Sequence, residues 1–526
     1  MSLDPEICWR AWTTRDRRFD GSFFMGVSST GIYCRPVCPA RLPARRHCTF
    51  FASAAAAEAA GFRPCRRCRP ETAPGSPAWQ GTSALVQRAL RLIEAGALDE
   101  ASVESLADRL GVTSRWLREL FAEHVGASPL EVALTRRVHF ARRLLDDTDL
   151  PLADVAVASG FASARRLRAA FGRTFRRPPG EVRRTPLAAA RGALALRLAA
   201  REPFEPAPLL AFLAARAIPG VEQVEGDVYR RSALLEGGAA TLEIEAGARG
   251  LVLRVAGAGP ASLPRLVAGA ARIFDLDADA AGIAAHLARD PLLRRALGGR
   301  TVRVPGAWEP FELGVRALLG QQVSVAAART LAGRLVRACG TPLPRPEGAL
   351  THLFPAPAVV AAAPLETLGL TRARAAALRG FARAVADGTL DLGAFTGLDD
   401  AVAKLTALPG IGEWTAQYLA MRALGEPDAF PAGDLGVRRA LAKGGELPHE
   451  RDVLARAEAW RPWRAYATLA LWGHEGSLGK PAGGHARPEP RTIARTVPRK
   501  TSRTIARTNH RPRARRATAL SGKARP

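Results

Sequence analysis

Four cysteines in two close pairs carry the first chemistry legible in the chain. Cys34 and Cys38 have three residues between them, Cys65 and Cys68 have two, and 26 residues separate the pairs. Each pair can chelate one side of a tetrahedral zinc ion, which holds thiols as thiolates at neutral pH. Such a site is either a structural knot or a reactive one, because a zinc-bound thiolate is a nucleophile without a separate base. From Arg35 to Arg69 there are eight arginines and one acid, Glu58, which sets the site against phosphates. Cys8 and Cys48 have no partner at ligand spacing and read as bystanders. A second constellation lies far down the chain, where Leu408-Pro409-Gly410-Ile411-Gly412 separates two predicted helices, 399–406 and 413–422. Gly410 and Gly412 allow a tight turn whose backbone N–H groups suit a DNA phosphate. Phe430-Pro431-Ala432-Gly433-Asp434 follows. A carboxylate after such a loop is either a helix cap or a group that stabilises developing positive charge.

Several domains must position these groups, since 526 residues correspond to roughly three to five. The net charge of +27 points to a polyanion, most simply nucleic acid. No run of eighteen apolar residues occurs, so no membrane-spanning helix is expected. Residues 1–18 lack the pattern of a secretory signal, and an odd total of seven cysteines argues against a disulfide scaffold. Pro-rich breaks at 70–77, 178–180 and 203–208 divide the chain. Residues 480–526 hold fourteen Lys/Arg and one acid, Glu489, and repeat Arg-Thr-Ile-Ala-Arg-Thr at 491 and 503. With almost nothing to bury, that tail reads as disordered, either merely solvated or attracted to phosphates.

Residues 102–122 follow helix-turn-helix grammar: a Ser102 cap, Val103, Leu106, Ala107 and Leu110 on one face, a Gly111 turn, then Leu117, Leu120 and Phe121 inward. The pattern repeats from Pro151 to Gly172, and shifting 117–132 by 50 residues gives six identities. Arg115 and Arg118 on the first recognition helix, and Arg165, Arg166 and Arg168 on the second, are either DNA contacts or a solvated basic face. Trp116 either packs or reaches DNA. Two such units a fixed distance apart resemble the AraC-type DNA-binding domain over about 82–184.

Two further resemblances rest on longer strings. Phe23-Phe24-Met25-Gly26-Val27, Thr30-Gly31-Ile32-Tyr33-Cys34-Arg35-Pro36-Val37-Cys38 and Gly61-Phe62-Arg63-Pro64-Cys65-Arg66-Arg67-Cys68 resemble the N-terminal domain of the Ada methylation-response family. That resemblance implies one Zn2+ on Cys34, Cys38, Cys65 and Cys68, with Cys34 taking a methyl group from a DNA methylphosphotriester. Methylation removes one negative charge from the site, so the domain is repelled less by intact DNA. The hairpin and Asp434, with Trp414-Thr415-Ala416-Gln417-Tyr418, Trp460-Arg461-Pro462-Trp463-Arg464-Ala465-Tyr466, Leu471-Trp472 and Gly320-Gln321-Gln322-Val323-Ser324, resemble the AlkA 3-methyladenine DNA glycosylases of the helix-hairpin-helix superfamily. The implied roles are Asp434 as catalytic carboxylate and Trp414, Tyr418 and Trp472 as the pocket for a flipped cationic purine. Gly410 and Gly412 would hold the backbone phosphate, with a monovalent cation on nearby carbonyls. Bifunctional relatives form a Schiff base through a lysine where this chain has Trp414, so strand cleavage is not expected. Gln322 stands where that family carries an apolar wedge, which leaves the wedge unassigned.

The expected fold is multidomain, mainly α with α+β parts. It comprises a zinc-binding methyl-acceptor domain (5–72), a tandem helix-turn-helix domain (82–184), an α+β subdomain (192–305), an all-helical helix-hairpin-helix glycosylase domain (306–478) and a disordered basic tail (479–526). The expected partners are alkylated double-stranded DNA, promoter DNA and RNA polymerase, in the cytoplasm and without a membrane. Two rivals stay open: a regulator whose glycosylase-like part only binds DNA, and a repair enzyme whose zinc is structural.

Overall fold

The computed structural model describes residues 4–73, 84–187, 193–395, 397–442 and 445–478. The tail at 479–526 lies outside the described residues. The chain begins with helix Pro5–Thr13, which starts where Asp4 Oδ1 accepts the Glu6 N–H at 2.8 Å and Pro5 fills the first turn. A four-stranded sheet follows in the spatial order Cys48–Phe51, Phe24–Val27, Ile32–Cys34, Arg63–Pro64, antiparallel except for the last pair. Trp12, Phe23, Met25 and Tyr33 are buried within this small unit. A core of this size is slight, which is where a metal adds stability.

Six helices form the next unit: Ala84–Glu94, Val103–Leu110, Ser114–His124, Pro129–Asp147, Leu152–Ala158 and Ala164–Phe175. Their starts follow the sequence signals, with Ser102, Thr113 and Ser163 side chains capping three of them. Ser128 and Glu131 close a reciprocal capping box on the long helix Pro129–Asp147. Gly111 ends its helix at φ +71°, a conformation that favours glycine. The recognition helices run two and three residues further than the sequence pattern suggests, to His124 and Phe175.

The α+β unit is a five-stranded antiparallel sheet in the order Ala193–Ala199, Gly250–Ala256, Gly238–Gly247, Val228–Leu235, Glu222–Glu225, covered by helices Pro206–Arg216 and Leu263–Ile273. Leu251, Leu253 and Val255 alternate inward, as their period of two requires. The last unit is helical with one exception. Strands Thr341–Glu347 and Leu350–Leu353 form a hairpin, which corrects the all-helical expectation. Pro342, Pro344 and Pro346 remove donors at every second residue and exclude a helix there. Helix Glu413–Leu419 continues as a π-helical turn, Ala420–Leu424.

Polar contacts join these units. Glu58 accepts from Tyr33 Oη at 2.9 Å and Thr135 Oγ1 at 3.1 Å, and lies 2.9 Å from His139 Nε2. The last two belong to the long helix between the recognition motifs. Arg69, next to Cys68, pairs with Asp146 at the end of the same helix. Fully buried Arg201 reaches from the α+β unit into the cysteine-rich one, donating to Asp20 O at 2.5 Å and Ser22 Oγ at 2.8 Å.

Candidate zinc and base-excision sites

The four cysteine sulfurs converge. The Sγ atoms of Cys34, Cys38, Cys65 and Cys68 all lie within 4.8 Å of one another and are buried, with Cys38 and Cys65 4.0 Å apart. Tetrahedral zinc with Zn–S near 2.3 Å sets its sulfurs about 3.8 Å apart, so the donor set fits that ion. Cys34 ends the strand Ile32–Cys34, and the Cys65 N–H donates to Tyr33 O at 3.0 Å, which draws the second pair alongside the first. Arg35 braces the cluster. Its backbone N–H donates to Cys68 Sγ at 3.3 Å, and its guanidinium bonds Asp20 Oδ1 at 2.7 Å, Thr72 Oγ1 at 2.8 Å and Cys68 O at 3.1 Å. Cys8 and Cys48 stand outside the cluster, and burial pushes the Cys8 thiol up to about 11. Arg41, Arg46, Arg66 and Arg67 are exposed around the site.

In the helix-turn-helix unit the five singled-out arginines are all exposed. Arg115 pairs with Glu119 at 3.0 Å and Arg118 with Glu104 at 2.6 Å. Arg165, Arg166 and Arg168 form no ion pair among the described residues.

Far along the chain, the hairpin Leu398–Thr406, Glu413–Leu419, the loop to Asp434 and the helix Arg464–Leu478 bring four side chains together. Asp434 caps helix Leu435–Ala440 through Val437 N at 3.0 Å. The same carboxylate accepts from Trp414 Nε1 through Oδ2 and from Trp472 Nε1 through Oδ1, both at 2.8 Å. The cap and the two indole donors together fix the carboxylate in place. Trp414 and Tyr418, four residues apart on one helix face, stack at 5.3 Å between centroids with 9° between planes. Trp472 is tilted against Tyr418 at 6.4 Å. All four are half-buried, so the aromatic rings and the carboxylate keep part of their surface open to solvent. Gly436 makes room for the indole, since a Cβ there would stand 3.0 Å from Trp472 Cδ1 and 3.1 Å from Asp434 Oδ1.

Gly410 takes φ +85°, and a Cβ would lie 2.3 Å from that of Ala377, so the turn admits glycine alone. Gly412 precedes helix Glu413–Leu419 with no side-chain cap, leaving its first N–H groups available. Gly410 O accepts from Gln321 Nε2 at 2.9 Å. Gln322 is exposed at φ +57°.

Sequence reasoning missed Arg422 and Arg216. Buried Arg422 donates to Tyr418 Oη at 2.5 Å and to Pro305 O at 2.7 Å. Burial alone would raise the Tyr418 phenol, but the Arg422 and Arg216 guanidiniums more than offset it and hold the group below its ordinary value. Burial in turn pulls Arg216 down to about 10. No periodicity marks these arginines, because each also serves a group remote in sequence, Pro305 O for Arg422 and Tyr418 for Arg216.

Four family descriptions match in chain order: the metal binding domain of Ada at 7–71, a helix-turn-helix domain at 106–185, the AlkA N-terminal domain at 195–309, and the HhH-GPD superfamily of base excision DNA repair proteins at 315–465. The probable bifunctional transcriptional activator/DNA repair enzyme AlkA of Mycobacterium tuberculosis is 42% identical over 479 residues, covering 90% of this chain and 97% of its own. The chain belongs to that bifunctional AlkA family. Its parts also match separately. DNA-3-methyladenine glycosylase 2 of Escherichia coli is 34% identical over 280 residues, 52% of this chain and 95% of its own. The bifunctional Ada protein of the same organism is 40% identical over 127 residues, 24% of this chain and 34% of its own. The bifunctional AlkA family thus joins an Ada-like front to an AlkA-like glycosylase region, the arrangement expected from the resemblances.

Proposed function

We propose that this chain is an alkylation-response protein that repairs methylphosphotriesters stoichiometrically, excises alkylated purines catalytically and regulates transcription. The observation that carries the reading is the Asp434 carboxylate, held by two indole N–H groups beside a stacked aromatic pair. Purines methylated at N3 or N7 are cationic and already good leaving groups. The electron-rich faces of Trp414, Tyr418 and Trp472 attract them once flipped from the duplex. As the N-glycosidic bond breaks, positive charge grows on the sugar, and the fixed carboxylate stabilises it while water adds at the anomeric carbon. With Trp414 in place of a lysine there is no amine to open the sugar, so the enzyme is a monofunctional 3-methyladenine glycosylase. Gly410 and Gly412 hold the backbone phosphate, and a carbonyl-bound monovalent cation belongs to the same reading.

At the other end of the chain, zinc bound to Cys34, Cys38, Cys65 and Cys68 keeps their sulfurs as thiolates. Cys34 Sγ attacks the methyl carbon of a methylphosphotriester. The S–C bond forms as the O–C bond breaks, and the phosphodiester leaves with its negative charge restored. The exposed arginines around the site hold the flanking phosphates. The helix-turn-helix unit binds promoter DNA, and activation there works through RNA polymerase, in the cytoplasm. No described helix is long and apolar enough to cross a membrane.

Asp434→Asn tests the reading. Release of free 3-methyladenine from an alkylated duplex is expected to vanish while DNA binding persists. Unchanged release would remove Asp434 from the chemistry, and a wild-type protein that releases none would leave a DNA-binding regulator.

A further inference from the structure

The two helix-turn-helix motifs share one architecture but carry opposite surfaces. Recognition helices Ser114–His124 and Ala164–Phe175 start 50 residues apart, behind caps Thr113 and Ser163. Leu117 and Phe121 in the first are buried like Leu167 and Phe171 in the second. In this register Arg115 and Arg118 match Arg165 and Arg168, but Trp116 stands where the second motif has Arg166, Glu119 where it has Ala169, and Glu123 where it has Arg173. Residues 103–124 carry three arginines and four acids, a net of −1, whereas 152–175 carry four arginines and one acid, a net of +3. The acids of the first motif also occupy its arginines, Arg115 with Glu119 and Arg118 with Glu104. Trp116 is 47% exposed, and its ring meets no other aromatic and no hydrogen-bond partner among the described residues.

A net-negative motif whose recognition-helix arginines are already paired gains less from counterion release than the second, so its contribution to DNA binding leans on base edges. The N-terminal turn of a recognition helix is the part that meets those edges in the major groove. An exposed apolar ring there fits the C5-methyl group of thymine, the one apolar mark the groove presents. We infer that the motifs divide the work: the second anchors the protein on phosphates through Arg165, Arg166 and Arg168, and the first reads a thymine methyl through Trp116. This deepens the promoter-binding reading above and rests on it.

The test uses the whole zinc-loaded chain. A duplex is selected from a randomised pool, and each thymine of the selected site is then replaced singly by deoxyuridine, which lacks only the methyl. Wild-type binding is expected to weaken about fourfold at one or two positions in one half-site, the worth of a buried methyl-sized group. Trp116→Ala should bind the thymine site more weakly, lose its response to deoxyuridine and keep the wild-type salt dependence. Trp116→Phe should retain the response. Arg165→Ala/Arg166→Ala should lower the slope of log K against log salt by about two while keeping sensitivity to deoxyuridine. A wild type indifferent to every replacement, or a Trp116→Ala protein as sensitive as wild type, overturns the inference while promoter binding stands. Enrichment of no sequence overturns both.

Discussion

Removing one indole donor at a time from Asp434 tests whether the carboxylate works because of where it is held. Trp414→Phe keeps an aromatic ring against Tyr418 but removes the N–H that reaches Oδ2 at 2.8 Å, together with part of the indole; Trp472→Phe does the same for Oδ1. A hydrogen bond to a charged group contributes about 1.5–3 kcal/mol. Losing Trp414 leaves Oδ2 without its donor and free to turn toward solvent, whereas losing Trp472 leaves Oδ1 still held by Val437 N. If that orientation is needed as positive charge grows on the sugar, Trp414→Phe should slow excision by about 10- to 150-fold, and Trp472→Phe by less because Val437 N still holds Oδ1. The assay is single-turnover release of 3-methyladenine at saturating enzyme, which separates the chemical step from base binding. The double variant should lose less than the product of the two single effects, because both donors hold one group. Single-turnover rates within twofold of wild type for both variants, beside an inactive Asp434→Asn, would refute the claim that the indoles position the carboxylate.

Mass spectrometry after exposure to DNA carrying methylphosphotriesters should find one added methyl, on Cys34 and on none of Cys38, Cys65 or Cys68; Cys34→Ser should gain none. Gly410→Ala forces a Cβ into Ala377 at a positive φ and should cost about 1–3 kcal/mol in urea titrations and weaken DNA binding with it. His139 is the pH-sensitive joint. Burial alone would lower its pKa, but the neighbouring Glu58, aided by Glu71 and Glu94, raises it above its ordinary value. A raised folded-state pKa means stability that is full below about pH 6.5 and is lost as pH climbs through the folded value. Melting temperature should therefore fall over that window, and His139→Gln should flatten the profile.

Much of this arrangement was legible because the relevant signals are local. Caps at Ser102 and Ser163 start helices, paired cysteines imply a shared ion, and a glycine between helices implies a hairpin; each needs only neighbours in sequence. The two-stranded hairpin at Thr341–Leu353 escaped because Ala- and Leu-rich helices surround it, although its alternating prolines were a usable sign. The sheet in the cysteine-rich unit escaped because its strands have two to four residues, too short for a period to emerge. The motif singles out Asp434, but the convergence of Trp414 and Trp472 on its two oxygens is a tertiary fact. Buried arginines were the systematic blind spot. Arg201 and Arg422 read as surface residues by type and are interior only because backbone carbonyls from remote segments surround them.

Arg201 also constrains how this polypeptide can be taken apart. Cutting between residues 187 and 193 leaves a fragment that looks self-sufficient, with its own sheet and its own Asp434 cluster. Yet its guanidinium would be stripped of Asp20 O and Ser22 Oγ and left facing a newly opened seam. The front fragment would in turn lose the donor that pins the loop carrying Asp20, whose carboxylate grips Arg35 beside Cys34. Expressed as halves, each piece is missing a component that the other supplies, and kinetic constants measured on either describe a different molecule from the intact one.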